Sequence, residues 1–298
     1  MQIDHIGATT FQPQTPEPGA TTHVDPRVAQ EWAAPRASPP VAVAEPAAAS
    51  IGVANLDEAR LHLALAADVY NNVASPPSGW RVADQDDLDR LRLTPDMLER
   101  ADSSFRARVY VSNEGGETRY VVAFRGSETG EDWLNNGQQA FGASSEHYDK
   151  ALRIGQRLAA VDADVTLTGH SLGGGLASAA ALASGHDADT FNAAGLHPST
   201  ISSAQAGARA DIDAFYLRGD ALSTVQDGGD RLIASGVGAW VLGLPGAVVG
   251  GMAGDAPPAV GDRIPIWPTP PEGQSWWHAN PFALHGVEWL QSSLNAAR

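Results

Sequence analysis

The sequence predicts an α/β protein, a mostly parallel central sheet flanked by helices after an antiparallel start. Three observations predict it. Strand and helix patterns alternate from about residue 118 to the end of the chain. Two apolar runs around "EGGE" read as a β-hairpin from Phe105 to Gly126. The short apolar run "DVTLTG" leads into a serine walled by glycines, "GHSLGGGLAS", with small residues at helical spacing behind it.

Each element follows in order. Residues 1–50 hold eight of the chain's 20 prolines and many alanines. Such a stretch sustains neither a helix nor a sheet ladder, so it is expected to be a flexible leader. A delivery or docking segment is the sharper alternative. The folded domain is expected over 51–298. In "NLDEARLHLALAADVYN" Leu61, Leu65 and Val69 recur every four positions, which predicts a helix capped by Asn55 or Asp57, with His62 structural. After the hairpin, "SSEHYDKALRIGQRLAAV" reads as a helix and "DVTLTG" as a buried strand. "LGGGLASAAALAS" is a helix able to pack close to a sheet, "DTFNAAG" and "IDAFYLRGD" are further strands, and "ALHGVEWLQSSL" is the last helix. From 232 to 254 there is no charge, but seven glycines and a central Pro245-Gly246 dilute the apolar run. A membrane span there would interrupt the fold. A buried helical hairpin and a lipid-docking lid are the two readings kept.

Composition excludes several classes. The chain has 298 residues, a formal net charge of −16 and no cysteine. An acidic chain is a poor nucleic-acid binder, because phosphates need Lys and Arg. It is also repelled by anionic lipid surfaces except where apolar residues insert. Without cysteine there are no disulfides, no cysteine–zinc sites and no thiol nucleophile. The start "MQIDHIGATT" lacks the basic and apolar regions of a secretory signal.

Gly169-His170-Ser171-Leu172-Gly173 fits G-x-S-x-G. A serine on a sharp strand-to-helix turn exposes its hydroxyl, and side chains two before and two after would collide. The helix that follows points free N–H groups toward a developing oxyanion. A serine hydroxyl needs a base, and the base needs a carboxylate to orient it, in the chain order Ser, acid, His. Among the later histidines, His186 and His197 read as loop residues. His285, opening the last helix, is favoured over His278 in "WWHANP". For the acid, Asp220 lies directly past a strand end. Asp211 and Asp213 lie at that strand's other end, Asp187 and Asp189 start the strand before it, and Asp227 and Asp230 stay open. A second oxyanion donor is expected from the Ser127 N–H beside that of Leu172. Asp132, Trp133 and Asn136 would pin that loop.

"VVAFRGSETGEDWLNN" followed by "VTLTGHSLGGGLASAAAL" resembles the class 3 lipases, α/β-hydrolases related to the fungal triacylglycerol lipases. The resemblance covers about 51–225, and the remainder only through the order of Asp and His. It implies Ser171 as nucleophile, Asp220 as acid, His285 as base, and Ser127 and Leu172 as the oxyanion hole, with no metal or cofactor. Two departures stand out: no proline follows the acid in "DALSTVQDGG", and the glycine-rich insert is not in the fungal pattern. A leader plus a hydrophobic insert is similar to bacterial lipase effectors exported by specialised secretion systems. That likeness implies a membrane phospholipid substrate, phospholipase A1 or lipase chemistry, and an immunity or chaperone protein as partner. A membrane-perturbing protein with a silent hydrolase fold and an esterase of soluble substrates are the alternatives.

Overall fold

The computed structural model describes residues 53–126, 137–204, 210–226 and 257–297. The expected leader, the loop residues Ser127, Asp132, Trp133 and Asn136, the acids Asp227 and Asp230, and the stretch 232–254 lie outside the described residues.

The chain opens with α1 (Val53–Asp68), β1 (Arg81–Val82), α2 (Gln85–Arg90) and α3 (Pro95–Leu98). The hairpin β2 (Ala107–Ser112) and β3 (Arg119–Phe124) follows, then α4 (Gly137–Leu158), β4 (Asp164–His170) and α5 (Leu172–Ser184). Next come β5 (Ala188–Phe191), α6 (Pro198–Ser203), β6 (Ile212–Leu217) and α7 (Ala221–Gln226). The described chain closes with β7 (Asp262–Ile266), α8 (Pro281–His285) and α9 (Val287–Ala296). Among the described residues, seven strands lie in the sheet in chain order. β1, β2 and β3 pair antiparallel, and β3 to β7 pair parallel. The expected antiparallel start and parallel continuation are both present.

Period-two alternation in the strands feeds two cores. From β3, Tyr120, Val122 and Phe124 face one side, where Ala151, Ile154 and Leu158 of α4 and Leu176, Ala177 and Ala180 of α5 cover them. Val121 and Ala123 face the other side and meet Leu65 and Val69. Farther along that second face, Phe191, Phe215, Leu217 and Ile266 pack on Leu56 and Leu63 of α1 and on Trp289, Leu290 and Leu294 of α9. Phe191 and Phe215 are register partners and stack with ring centroids 5.5 Å apart. The result is a sheet buried on both faces, which is why its parallel strands read as near-continuous apolar runs.

The structure corrects the sequence reading in four places. Helix α1 already includes Asn55 and Asp57, so neither caps it, and Asp57 instead pairs with Arg60 at 2.5 Å. β1 carries no sequence signal, since two exposed residues show no periodicity. β7 carries none either, because Pro265 interrupts "DRIPI"; the strand survives on the sheet edge, where a missing N–H is tolerated. The single last helix is two helices, broken at Gly286, so His285 closes α8 rather than opening the final helix.

Gly155 sets how closely α4 lies on α5. A Cβ there would sit 2.9 Å from the Ala180 Cα and from the Ala183 Cβ, and closer still to the Ala180 carbonyl oxygen. Backbone cannot retreat as a side-chain tip can. Gly155→Val is therefore expected to destabilise the protein by roughly 1–3 kcal/mol through overpacking. The midpoint of urea unfolding checks this, and a midpoint equal to wild type refutes it.

Candidate active site

The site is built at the carboxyl edge of the parallel strands, starting from the turn between β4 and α5. Ser171 sits there with φ 60° and ψ −127°, a left-handed conformation that a non-glycine residue rarely adopts. Backbone hydrogen bonds hold it. Its N–H donates to the Phe191 carbonyl at 3.0 Å, and its carbonyl accepts from Gly174 and Ala194, each at 3.0 Å. The two framing glycines answer the spacing argument. A Cβ at Gly169 would strike the Gly173 carbonyl group, and one at Gly173 would strike the Phe124 carbonyl oxygen.

The structure brings three of the expected residues together. The Ser171 hydroxyl lies 2.9 Å from His285 Nε2, and His285 Nδ1 lies 2.7 Å from Asp220 Oδ1. Asp220 follows β6 through a turn in which Gly219 takes φ 89°. Its carboxylate is fully buried, and Oδ2 accepts from the Ser223 N–H at 2.8 Å. Burial works to raise its pKa. The facing His285 and the Ser223 N–H outweigh burial and hold the carboxyl below the usual carboxylate range. Leu172 is the first residue of α5, one step past the serine.

The other candidates lie elsewhere. His278 closes a short 3-10 turn and shares its Nδ1 with Ser275. His197 caps α6, and His186 lies beyond α5 with Nε2 on the Leu158 carbonyl. Asp187 accepts from the Asp211 N–H, Asp213 lies within β6, and Asp189 pairs with the buried His62 at 2.6 Å. A hollow of about 580 Å³ lined by Arg90, Arg92, Tyr120 and Asp162 opens at the sheet's amino edge, the end opposite Ser171.

Three residues of this region are not singled out by the sequence. His170, the residue before the serine, directs Nε2 at the His285 carbonyl oxygen at 2.7 Å. Asn192, just past β5 at φ 43°, donates to the Leu284 and His285 carbonyls at 3.1 and 3.2 Å and accepts from the Leu217 N–H. Tyr70 accepts from the Gly126 N–H at 3.0 Å and lies 3.4 Å from His170 Nδ1. A buried polar residue at a strand end, such as Asn192, is the available signal. Its partners are backbone atoms 25, 92 and 93 residues away, and spacing does not show those.

A mostly parallel sheet covered by helices on both faces, with a serine turn after β4 and a carboxylate and imidazole following in that order, has the α/β-hydrolase fold. The chain belongs to the family described as Tle-like phospholipase domains, which matches residues 62–267. It is 36% identical over 158 residues to an extracellular phospholipase A1 of Serratia liquefaciens, covering 52% of this chain and 48% of that protein. The chain thus spans about half the length of this curated relative. Among solved structures it is similar to a mutant form of MDLA from Penicillium cyclopium, with 14% identity, 83% and 100% coverage and a TM-score of 0.44. Lip2 lipase from Yarrowia lipolytica is another, with 14% identity, 59% and 75% coverage and a TM-score of 0.39.

His170 gives a test of this packing. Burial first, and then the facing His285, push its pKa down to about 3, against the His285 carbonyl hydrogen bond, which favours the charged form. The folded imidazole is therefore neutral where an unfolded one, with a pKa of about 6.5, takes up a proton. The contribution of His170 to stability therefore falls as pH drops below about 6.5, with a slope approaching about 1.4 kcal/mol per pH unit. In urea titrations between pH 6.5 and 5, above the carboxylate range, His170→Gln is expected to flatten that slope. Parallel slopes in variant and wild type refute it.

Proposed function

We propose that the protein is a serine-dependent carboxylic-ester hydrolase of lipids, of the phospholipase A1 or lipase type. The observation that carries this reading is the unbroken series from the Ser171 hydroxyl through His285 to the buried Asp220. Family membership and the likeness to a phospholipase A1 support a phospholipid as the acyl donor.

In this reading His285 Nε2 takes the Ser171 proton as Oγ attacks the acyl carbonyl carbon. Asp220 stays ionised, fixes the imidazole through Nδ1, and stabilises the imidazolium that forms. His285 then delivers the proton to the leaving glycerol oxygen as the ester C–O bond breaks. Water, deprotonated by the same imidazole, releases the fatty acid from the acyl-enzyme. The Leu172 N–H at the start of α5 and the Ser127 N–H are the proposed oxyanion donors. The positive end of α5 adds to their effect.

The roles separate by mutation. Ser171→Ala is expected to abolish fatty-acid release from phospholipid vesicles. Asp220→Asn keeps the shape but loses the charge, and is expected to lower kcat by roughly 10⁴-fold. Mass spectrometry of the lipid products measures both and reports which acyl chain leaves. Release by Ser171→Ala equal to wild type would overturn the assignment.

A further inference from the structure

Three of the chain's eight tryptophans lie between β7 and His285, and all three are exposed: Trp267 by 72%, Trp276 by 60% and Trp277 by 96%. Large indoles are normally sheltered, and a run of them in water marks a contact surface. Their placement is tied to the site. Trp267 directly follows β7 at the sheet's carboxyl edge, and Trp277 lies eight residues before His285 on the same connection. The connection is anchored rather than loose. The Thr269 N–H donates to Ser293 Oγ at 2.8 Å, Ser292 Oγ to the Pro270 carbonyl at 2.9 Å, and Trp276 packs on the buried Trp289 at 6.2 Å between ring centroids. Trp277 is thereby held outward from a fixed base.

Charge selects the partner. The chain carries a net charge of −16, yet from Ile264 to His285 there is a single charged residue, Glu272. The one guanidinium described over these indoles is that of Arg218, 4.5 Å above the Trp267 ring. Arg218 is exposed and lies two residues before Asp220. An indole under a cation, in a charge-poor segment, matches the boundary between lipid phosphates and acyl chains, where tryptophan rings settle.

We propose that the segment from Trp267 to Trp277, with Arg218, is the surface that docks the protein on a phospholipid bilayer and presents the Ser171 edge to it. The choice of a bilayer as partner rests on the lipid-hydrolase reading above. Docking brings the carboxyl edge of β6 and β7, and so Asp220 and His285, to the face from which acyl esters are reached.

The test uses the full chain with Ser171→Ala, so that binding is read without hydrolysis. Vesicles of equimolar phosphatidylcholine and phosphatidylglycerol are titrated, with co-sedimentation and quenching of tryptophan fluorescence by brominated acyl chains as readouts. Adding Trp267→Ser and Trp277→Ser is expected to weaken binding roughly tenfold or more and to remove most of the quenching. With Ser171 intact, the same pair should lower the ratio of vesicle hydrolysis to hydrolysis of a soluble short-chain ester by about tenfold. Both positions are exposed, and a matched melting temperature verifies the fold. Undiminished binding and quenching in the double variant overturn the proposal. So does a change confined to self-association, which would make the indoles a contact between copies of this chain. A wild type that cleaves neither ester overturns the hydrolase reading instead, and the binding comparison still decides the docking surface.

Discussion

The left-handed backbone at Ser171 is the constraint around which the rest is arranged. A non-glycine residue at φ 60° costs on the order of 1–3 kcal/mol, and it persists only where neighbours over-determine it. Here the Ser171 N–H and carbonyl are tied to β5 and the loop after it, through Phe191 and Ala194, and to the first turn of α5. Three net backbone hydrogen bonds at about 0.5–1.5 kcal/mol each match the strain. Gly169 and Gly173 are required because the same turn forces the strand and helix backbones into contact. The strain is thus a property of the sheet as much as of the serine, since it needs β5 beside β4 to hold it.

That turn also organises the residue that must meet the serine hydroxyl. His285 closes a five-residue helix, capped by Asn280, at the end of the connection from β7. Its backbone carbonyl is gripped by His170, the residue before Ser171, and by Asn192, the residue after β5. The elbow therefore carries a handle for the histidine beside the hydroxyl itself. Imidazole placement by a backbone contact leaves both ring nitrogens for Ser171 and Asp220. The Gly126 N–H, Tyr70 and His170 extend the same network back to the loop after β3.

Much of this is legible in the sequence, for a physical reason in each case. The buried parallel strands show as apolar runs, and the collision at the turn demands glycine at fixed offsets from Ser171. Asp220 is legible from its place past a strand end, and His285 from chain order. Other features are not. β7 hides behind Pro265, which an edge strand tolerates. The break between α8 and α9 at Gly286 leaves the apolar spacing across it intact, so one helix is read where two exist. His170 falls in a position that the motif leaves free. Its partner is a main-chain carbonyl 115 residues away, and a main-chain atom leaves no residue-type signature at its own position. The expected capping at Asn55 or Asp57 fails because the helix begins upstream of both.

The net charge of −16 argues against anionic surfaces only if it acts at the point of contact. At physiological ionic strength exposed charges are screened beyond about 8 Å, so the sign of the body matters less than that of the approaching edge. The segment from Ile264 to His285 that bears the indoles carries one acid, Glu272. Against the residual repulsion stands the apolar area of the indoles. An indole of roughly 200 Å² transferred from water, at about 25 cal/mol per Å², contributes at most about 5 kcal/mol. In the proposed docking, two outward tryptophans supply the apolar insertion that offsets this screened repulsion. The charge distribution does not forbid the bilayer. On the docking proposed above it favours one orientation, with Trp267 and Trp277 entering first and the Ser171 edge toward the lipid.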